Sequence, residues 1–190
     1  FEITDNVTSS RPSIYTSLGH SPCGMYFWVG SPVPCEAHVK GLTVDGRRST
    51  TTGFFVPNWQ WGASIAAGNV DGSSSVELAV GSAPHTPALT SVVDVKGQPI
   101  YSEVPFPEFY GGVNIALGDV NGDGFDDLIA AAGSGGGPHI RVTDVRHQTS
   151  LANFFAYDLS FRGGVHVAAA DIDGDGNDEL FEDAVRLVLE

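Results

Sequence analysis

The chain has 190 residues and a formal net charge of −14 at pH 7. A chain of this length can bury a sizeable core and is expected to form one domain. The negative charge argues against nucleic acid and anionic membrane as partners, because both bind positive surfaces. No apolar run is long enough to insert as a membrane-spanning helix, and Phe1-Glu-Ile-Thr4 is not a signal peptide, so we expect a mature or excised chain.

The N-terminal segment contains both cysteines of the chain. Cys23 and Cys35 lie within a stretch rich in Pro and Gly. Two thiols supply only half of a tetrahedral zinc site, so a disulfide is expected, with two free buried thiols as the alternative. The sequon Asn6-Val-Thr8 also fits a secreted or cell-surface chain.

From residue 62 onward the sequence repeats with a period of about fifty residues. Each repeat begins with a glycine and an alternating apolar stretch, which predicts a strand with small residues on one face. These first strands are predicted at Gly62–Asn69, Gly112–Asp119 and Gly164–Asp171.

Three more strands are expected in each repeat. The second runs into a glycine-rich turn and is predicted at Met25–Ser31, Glu77–Ser82 and Asp127–Ser134. The third is predicted at His38–Asp45, Leu89–Val95 and His139–Val145. The fourth carries aromatic residues and is predicted at Thr52–Val56, Tyr101–Phe106 and Ala152–Tyr157. Four strands in about fifty residues are typical of one propeller blade.

We therefore expect an all-β fold, a single β-propeller over residues 1–190 with four-stranded antiparallel blades. The blades are predicted at 11–57, 62–106, 112–157 and, shortened, 164–190. Phe1–Val7 could complete the last blade by pairing with Asp183–Leu189, which would close a four-bladed ring and hide two sheet edges. Without that closure, the chain would be a fragment of a larger propeller or would need a partner.

Two loops between first and second strands carry oxygen donors at alternating positions. Loop positions 1, 3, 5 and 9 offer side-chain oxygens, and position 7 offers a backbone carbonyl. The donors, in chain order, are Asp119, Asn121, Asp123, Phe125 and Asp127 in one loop, and Asp171, Asp173, Asp175, Asn177 and Glu179 in the other. Oxygen ligands at this spacing are typical of calcium sites, and a cation offsets the repulsion among the carboxylates. We expect about two calcium ions.

A weaker copy of the loop occurs in the second blade. Its corresponding positions are Asn69, Asp71, Ser73 and Glu77, with less charge and no second glycine. This loop is expected to bind calcium poorly or not at all. In the last loop Glu182 falls at position 12, as in an EF-hand, but the preceding Gly163–Val167 has a strand pattern; an EF-hand or dockerin-like loop is the minor alternative.

The repeated Asp-x-Asn/Asp-Gly-Asp-Gly-x-Asp-Asp/Glu loop, with its flanking strands and the run Gly-Ser-Gly-Gly-Gly-Pro-His, resembles the FG-GAP or VCBS repeats of bacterial surface proteins. Integrin α-subunit propellers carry similar loops. The resemblance is close over 112–179, moderate over 54–111, and limited to the later strands over 1–53. It implies calcium at the two loops, although Glu179 departs from the usual aspartate. It also implies adhesion, carbohydrate binding or an accessory role in a secreted enzyme, among which the fold does not choose.

The calcium sites are expected to be structural, because a ligand set filled by protein leaves no position for substrate. Stability should therefore depend on calcium. Asp126 and Asp178 could form an acid pair for glycoside hydrolysis, but alternation predicts solvent-facing strand residues that point away from the ligands. Three histidines recur before the third strand and are expected to be structural, with a shared pocket as the alternative: His38, His85 and His139.

Aromatic residues lie in the connections between blades, where packing between blades is the simpler interpretation. Trp59 and Trp61 are the candidates for stacking on a sugar. The favoured function is non-catalytic binding to a glycan or an extracellular protein, by a monomer or by part of a larger secreted protein. The alternatives are an accessory or catalytic domain of a carbohydrate-active enzyme, and a spacer made rigid by calcium.

Overall fold

The computed structural model describes residues 13–17, 37–43, 48–56 and 62–184. Within these ranges the chain forms thirteen strands and no helix, and every strand pair is antiparallel. None of these residues belongs to a helix that could cross a bilayer. The all-β antiparallel fold predicted from the sequence is confirmed.

The strands form four sheets in chain order, which we name the first to fourth blades. The first blade contains β1 (Ser13–Ser17), β2 (Ala37–Thr43) and β3 (Arg48–Val56). The second contains β4 (Ala63–Gly68), β5 (Glu77–Ser82), β6 (Thr90–Val93) and β7 (Pro99–Glu103). The third contains β8 (Val113–Gly118), β9 (Asp127–Ala132), β10 (His139–Asp144) and β11 (Thr149–Phe155). The fourth contains β12 (Val165–Ala170) and β13 (Glu179–Ala184).

The first strand of each blade packs beside the first strand of the next. β1 contacts β4, β4 contacts β8, and β8 contacts β12. Neighbouring blades therefore pack face to face, so that the second and third blades are each covered on both faces. All residues of β5 and β9 are accordingly buried, as expected for strands with packed layers on both sides. This succession of blades is the arrangement of a β-propeller.

Apolar side chains fill each space between blades. Val39 of the first blade packs with Leu78 and Val80 of the second. Ala79 of the second blade belongs to a cluster with residues of the third blade, including Val113, Ile115, Leu128 and Ala130. Ala116, Ile129 and Ala131 of the third blade pack with Val165 of the fourth. Alternate residues of β8 and β9 thus serve opposite neighbours, which is why these strands are apolar at nearly every position.

A glycine with positive φ precedes each first strand of the last three blades. Gly62, Gly112 and Gly164 have φ values of 96°, 83° and 87°, a region that other residues rarely adopt. A Cβ at Gly112 would also lie 2.9 Å from Cδ of Pro84 in the preceding blade. The glycines that open the repeats in the sequence are therefore required both by backbone conformation and by close contact between blades.

The first blade departs from the prediction in one respect. β1 pairs directly with β2, from Ser13 opposite Thr43 to Ser17 opposite Val39. A strand at Met25–Ser31 was predicted between them, but the edge of β2 that it would use is already paired with β1. That segment lies outside the described residues, as do Cys23, Cys35 and the Phe1–Val7 segment proposed to close the ring.

The structure of the fourth blade excludes the alternative of an EF-hand loop. The loop at 171–179 is flanked by β12 and β13, which pair from Val165 opposite Ala184 to Ala170 opposite Glu179. Glu182 lies within β13. The loop is therefore a connection between two antiparallel strands, and the EF-hand interpretation was wrong.

Reciprocal hydrogen bonds between loops join the second blade to the third and the third blade to the fourth. The main-chain N–H of Asn69 donates to Oδ2 of Asp126 at 2.7 Å, and the N–H of Asp126 donates to the Asn69 carbonyl at 2.9 Å. The next pair of blades repeats this arrangement with Asp119 and Asp178, at 3.1 and 2.7 Å. Asp126 and Asp178 are partly buried, so the prediction of solvent-facing residues was wrong. Each carboxylate turns back to the preceding blade because unpaired main-chain donors lie there.

Small residues at the ends of β4 and β8 leave room for these carboxylates. A Cβ at Gly68 would lie 2.1 Å from Oδ2 of Asp126, and a Cβ at Gly118 would lie 2.5 Å from Oδ2 of Asp178. Neither glycine has a positive φ. Their role is therefore steric, and it depends on the neighbouring blade.

We expect Gly68→Ala to lower the free energy of unfolding by about 1–3 kcal/mol, the usual cost of overpacking. Most of this cost should disappear in an Asp126→Ala background, where the nearest remaining atom to the new methyl group is Cβ of Leu117 at 3.1 Å. Urea unfolding of the four proteins measures the coupling. Gly137→Ala, whose Cβ would lie 3.6 Å from Phe155, is the control and should change stability little. Additive effects of Gly68→Ala and Asp126→Ala would contradict the steric role.

Candidate metal centres

The loop at 119–127 is folded by main-chain N–H groups that donate to its own side chains. Oδ1 of Asp119 accepts from Gly122 at 2.7 Å, and Oδ2 accepts from Gly124 at 2.7 Å. The two glycines have φ values of 74° and 87°. Further along, Oδ1 of Asn121 accepts from the N–H of Asp123 at 2.9 Å. The polar side chains are thereby held on the inside of the turn, where their remaining lone pairs can meet a cation.

Asp127, at position 9, is the most deeply buried of the predicted ligands in this loop, with 2 % of its surface exposed. Its hydrogen bonds are long: Val120 N donates to Oδ2 at 3.3 Å and Asn121 Nδ2 donates to Oδ1 at 3.4 Å. Burial, and then the negative charge of Asp144, raise the pKa of Asp127 to about 7. A buried carboxylate with weak hydrogen bonds beside other carboxylates is the kind of group that a bound cation stabilises.

The loop at 171–179 has the same internal hydrogen bonds. Oδ1 of Asp171 accepts from Gly174 at 2.7 Å, and Ile172 N donates to Oε2 of Glu179 at 2.9 Å. Asp171, Asp173 and Glu179 each offer a carboxylate oxygen, and these oxygens lie within 4.8 Å of one another. The longer Glu179 therefore reaches the position that Asp127 takes in the other loop. The oxygen-only donor set fits calcium better than a transition metal.

Two serine hydroxyls occupy the corresponding region of the second blade. Oγ of Ser75 donates to Oε1 of Glu77 at 3.2 Å, and Oγ of Ser73 lies 3.4 Å from the same oxygen. Val70 N donates to the other oxygen of Glu77 at 3.2 Å, as Val120 does to Asp127. Hydroxyl donors thus take the place of a cation here. The arrangement fits the expectation that this loop binds calcium poorly.

Asp144 and His147 approach the 119–127 loop from the turn between β10 and β11. With Asp123 they form a group whose ligand atoms lie within 4.8 Å of one another. Nδ1 of His147 lies 2.7 Å from Oδ2 of Asp144 and 3.9 Å from Oδ2 of Asp123. Burial acts to raise the pKa of Asp144, but hydrogen bonds from His147 outweigh it and lower the pKa. Asp144 is therefore ionised more readily than an ordinary aspartate and places negative charge beside the candidate centre.

Neither Asp144 nor His147 is among the ligands predicted from the sequence. A signal was nevertheless present, because Asp94 holds the same place at the end of β6. Oδ1 of Asp94 accepts from the N–H of Lys96 and Gln98 at 2.8 Å, much as Asp144 accepts from His147. The recurrence marks a turn residue of the blade. Its approach to the metal loop depends on the folding of β10 against β9 and is not encoded at a fixed sequence spacing.

The loops also touch one another through position 7. A Cβ at Gly72 would lie 2.4 Å from the ring of Phe125, and a Cβ at Gly122 would lie 2.1 Å from Oδ1 of Asn177. Each position-7 side chain thus rests on the first glycine of the preceding loop. Cζ of Arg146 also lies over the Phe125 ring, 3.7 Å from its centre. The three loops form a continuous row on one face of the propeller.

A groove of about 380 Å³ lies at the other ends of the first strands. It is lined by glycines, by the apolar residues Ala63, Ala83, Pro84 and Val113, and by the polar residues Ser64, Ser82, Asn114, Ser134 and His166. His139 is not part of it. Its ring stacks on Phe155, with ring centres 4.7 Å apart, and packs at a tilt against Phe106, with ring centres 5.0 Å apart. The predicted pocket of recurring histidines is therefore not formed by His139, and the side chain of His38 lies outside the described residues. Trp59 and Trp61 also lie outside them.

Comparison with known proteins finds a family model that matches one repeat and solved structures with a similar fold. Residues 111–144, which include β8, β9 and β10, match the model of the FG-GAP repeat, as the sequence resemblance predicted. The exotype rhamnogalacturonan lyase YesX has a similar structure, with a TM-score of 0.59 and 14 % identity over 94 % of this chain. Rhamnogalacturonan lyase YesW has a TM-score of 0.59 and 15 % identity over 94 %. The chain covers only 38 % and 39 % of these two proteins. At this identity the likeness shows the fold alone.

Calcium titration by calorimetry should give two ions per chain. Asp123→Ser and Asp175→Ser should each remove one ion, because each deletes an anionic ligand from one loop. Asp71→Ala in the serine-containing loop is the control and should leave both. At a hundredfold excess of free calcium over the dissociation constant, each ion stabilises the fold by ~2.7 kcal/mol. A melting temperature that chelator does not change would contradict the assignment.

The metal-free chain should lose stability as the pH rises. The folded state raises the pKa of Asp127 from 3.8 to about 7. The contribution of Asp127 to the free energy of unfolding is therefore fully present below the unfolded pKa and is lost as the pH rises to about 7. Burial shifts the pKa of Glu77 and Asp126 in the same direction. In chelator, wild type should lose more stability between pH 5 and 8 than Asp127→Asn. Equal losses, measured by urea unfolding, would show that Asp127 does not titrate in this range.

Proposed function

We propose that the chain is a calcium-stabilised propeller module of a secreted or cell-surface protein and that its role is non-catalytic binding. The observation that carries the proposal is the structural role of the carboxylates that recur in the repeats. Asp119 and Asp171 fold their loops, while Asp126 and Asp178 join neighbouring blades. These acidic groups are committed to main-chain donors, and the groove at the opposite strand ends offers neutral polar groups instead.

The proposed calcium binding and the proposed extracellular location support each other. The FG-GAP match covers the loop at 119–127, and such repeats are typically extracellular. Oxygen-ligand sites of extracellular modules work at calcium concentrations of about 10⁻⁴–10⁻³ M. A module with two such loops would be fully folded outside the cell and weakened where calcium is scarce. The proposed role of the ion is therefore to hold the blades in place for binding.

A neutral glycan is the ligand that the groove fits best. Hydroxyl, amide and imidazole groups from Ser134, Asn114 and His166 line it beside glycine backbone, and such groups can exchange hydrogen bonds with sugar hydroxyls. The net charge of −14 opposes polyanionic ligands. Trp59 and Trp61 would add a stacking surface if the proposed sugar site extends to the connection between the first two blades.

A catalytic or accessory role in carbohydrate processing is the second candidate. It is favoured by the structural likeness to two rhamnogalacturonan lyases. A lyase would cleave its polysaccharide, whereas a binding module would only retain it. A spacer made rigid by calcium would do neither.

Binding should be tested by calorimetry with soluble galactan as a neutral glycan and rhamnogalacturonan as an acidic one. We expect binding to galactan, weakened at least about tenfold by Trp59→Ala or His166→Ala. Tyr110→Ala, an exposed aromatic residue, is the matched control and should bind normally. Each variant must retain its melting temperature in calcium.

The same samples should be incubated with rhamnogalacturonan and analysed for shortened chains with unsaturated ends. Cleavage would favour the catalytic candidate over the binding module. If neither polysaccharide is bound nor cleaved, the proposed glycan function is wrong and the spacer interpretation gains.

A further inference from the structure

The loop that joins β5 to β6 in the second blade is fixed by hydrogen bonds to the connection that leads into the third blade. The main-chain N–H groups of His85 and Ala88 donate to the carbonyls of Tyr110 and Phe109, at 2.8 and 2.9 Å. Within the loop, Oγ1 of Thr86 donates to the carbonyl three residues earlier, at 2.7 Å. These bonds determine the backbone conformation of the whole loop.

His85 has a backbone conformation that residues with a side chain rarely adopt, with a φ of 73°. The equivalent residue of the third blade is Gly135, with a φ of 90°. The equivalence follows from the hydrogen bonds, because the N–H of Gly135 donates to the Arg162 carbonyl at 2.9 Å, as that of His85 does to Tyr110. His85 therefore corresponds to Gly135 and not to His139, although both histidines precede a third strand in the sequence.

A glycine fulfils the backbone role of this position in the third blade without a side chain. A Cβ at Gly135 would have no atom within 4 Å, so the fold requires no side chain there. A histidine in the same conformation costs free energy that a glycine would not. Residues that their surroundings hold in such conformations occur frequently at ligand sites. The side chain of His85, which is exposed, therefore points to a role outside the loop.

His85 lies at the rim of the groove described above. The two residues that precede it, Ala83 and Pro84, line the groove together with Gly112. We propose that His85 contacts the ligand of this groove. Since this inference rests on the proposed glycan binding, the contact is a hydrogen bond between the imidazole, which can donate and accept, and a sugar hydroxyl. The strained backbone then holds the ring at the rim before the ligand arrives.

Calorimetry with soluble galactan in calcium tests this contact. His85→Gly should weaken binding at least about tenfold. Its urea midpoint should stay at or above that of wild type, because glycine adopts the positive φ without strain. A residue needed only for the fold would lower the midpoint instead. His85→Asn should bind galactan more tightly than His85→Gly, since asparagine tolerates the left-handed region and supplies a donor and an acceptor.

Gln148→Gly is the matched control. Gln148 is also exposed and has a φ of 56°, but it lies in the turn between β10 and β11, beside the metal loops and away from the groove. This variant likewise replaces a side chain at positive φ by glycine. It should bind galactan like wild type.

The outcomes separate this inference from the proposed function. If wild type binds galactan and His85→Gly binds it equally well, His85 is not a contact, although the glycan function stands. A lowered urea midpoint of His85→Gly, no better binding by His85→Asn, or an equal loss in Gln148→Gly would also overturn the inference. A wild type that does not bind galactan would contradict the proposed glycan function and this inference with it.

Discussion

Main-chain N–H groups that donate to acidic side chains are the interaction on which the rest of this structure depends. Each loop is wound around the side chain at its position 1, which accepts from the glycine three residues later. The winding gathers several carboxylates into a small volume. The repulsion among crowded carboxylates must be offset, and the chain offers two ways to do so. Serine hydroxyls lie beside Glu77 in one loop, and the other two loops have a set of oxygen donors suited to a cation.

The same chemistry couples one blade to the next. Asp126 and Asp178 extend the loop hydrogen bonds across the blade boundary, and glycines at the ends of β4 and β8 make space for them. Apolar packing between blades is not directional, but these polar contacts allow only one alignment of neighbouring strands. The row of blades is therefore fixed in register by its loops and stabilised mainly by its buried aliphatic residues.

Much of the fold and of the metal loops could be predicted because both are encoded locally. Alternation and the glycine before each strand lie within one strand, and the oxygen donors at odd positions lie within one nine-residue loop. The parts that failed depend on neighbours distant in sequence. The roles of Asp126 and Asp178 require the preceding blade, the approach of Asp144 requires the pairing of β10 with β9, and the pairing of β1 with β2 replaces a strand that a strict repeat would contain.

The hydrogen bonds between Asp119 and Asp178 also couple the stability of one candidate metal loop to that of the other. Asp119 is a ligand position in its own loop, and its N–H and carbonyl are both bonded to the next one. A cation that orders the 119–127 loop would therefore favour cation binding by the 171–179 loop. By thermodynamic reciprocity, a cation in the 171–179 loop would favour binding by the 119–127 loop to the same degree. In a chain built in this way, a distortion of either loop is transmitted directly to the other through these two hydrogen bonds.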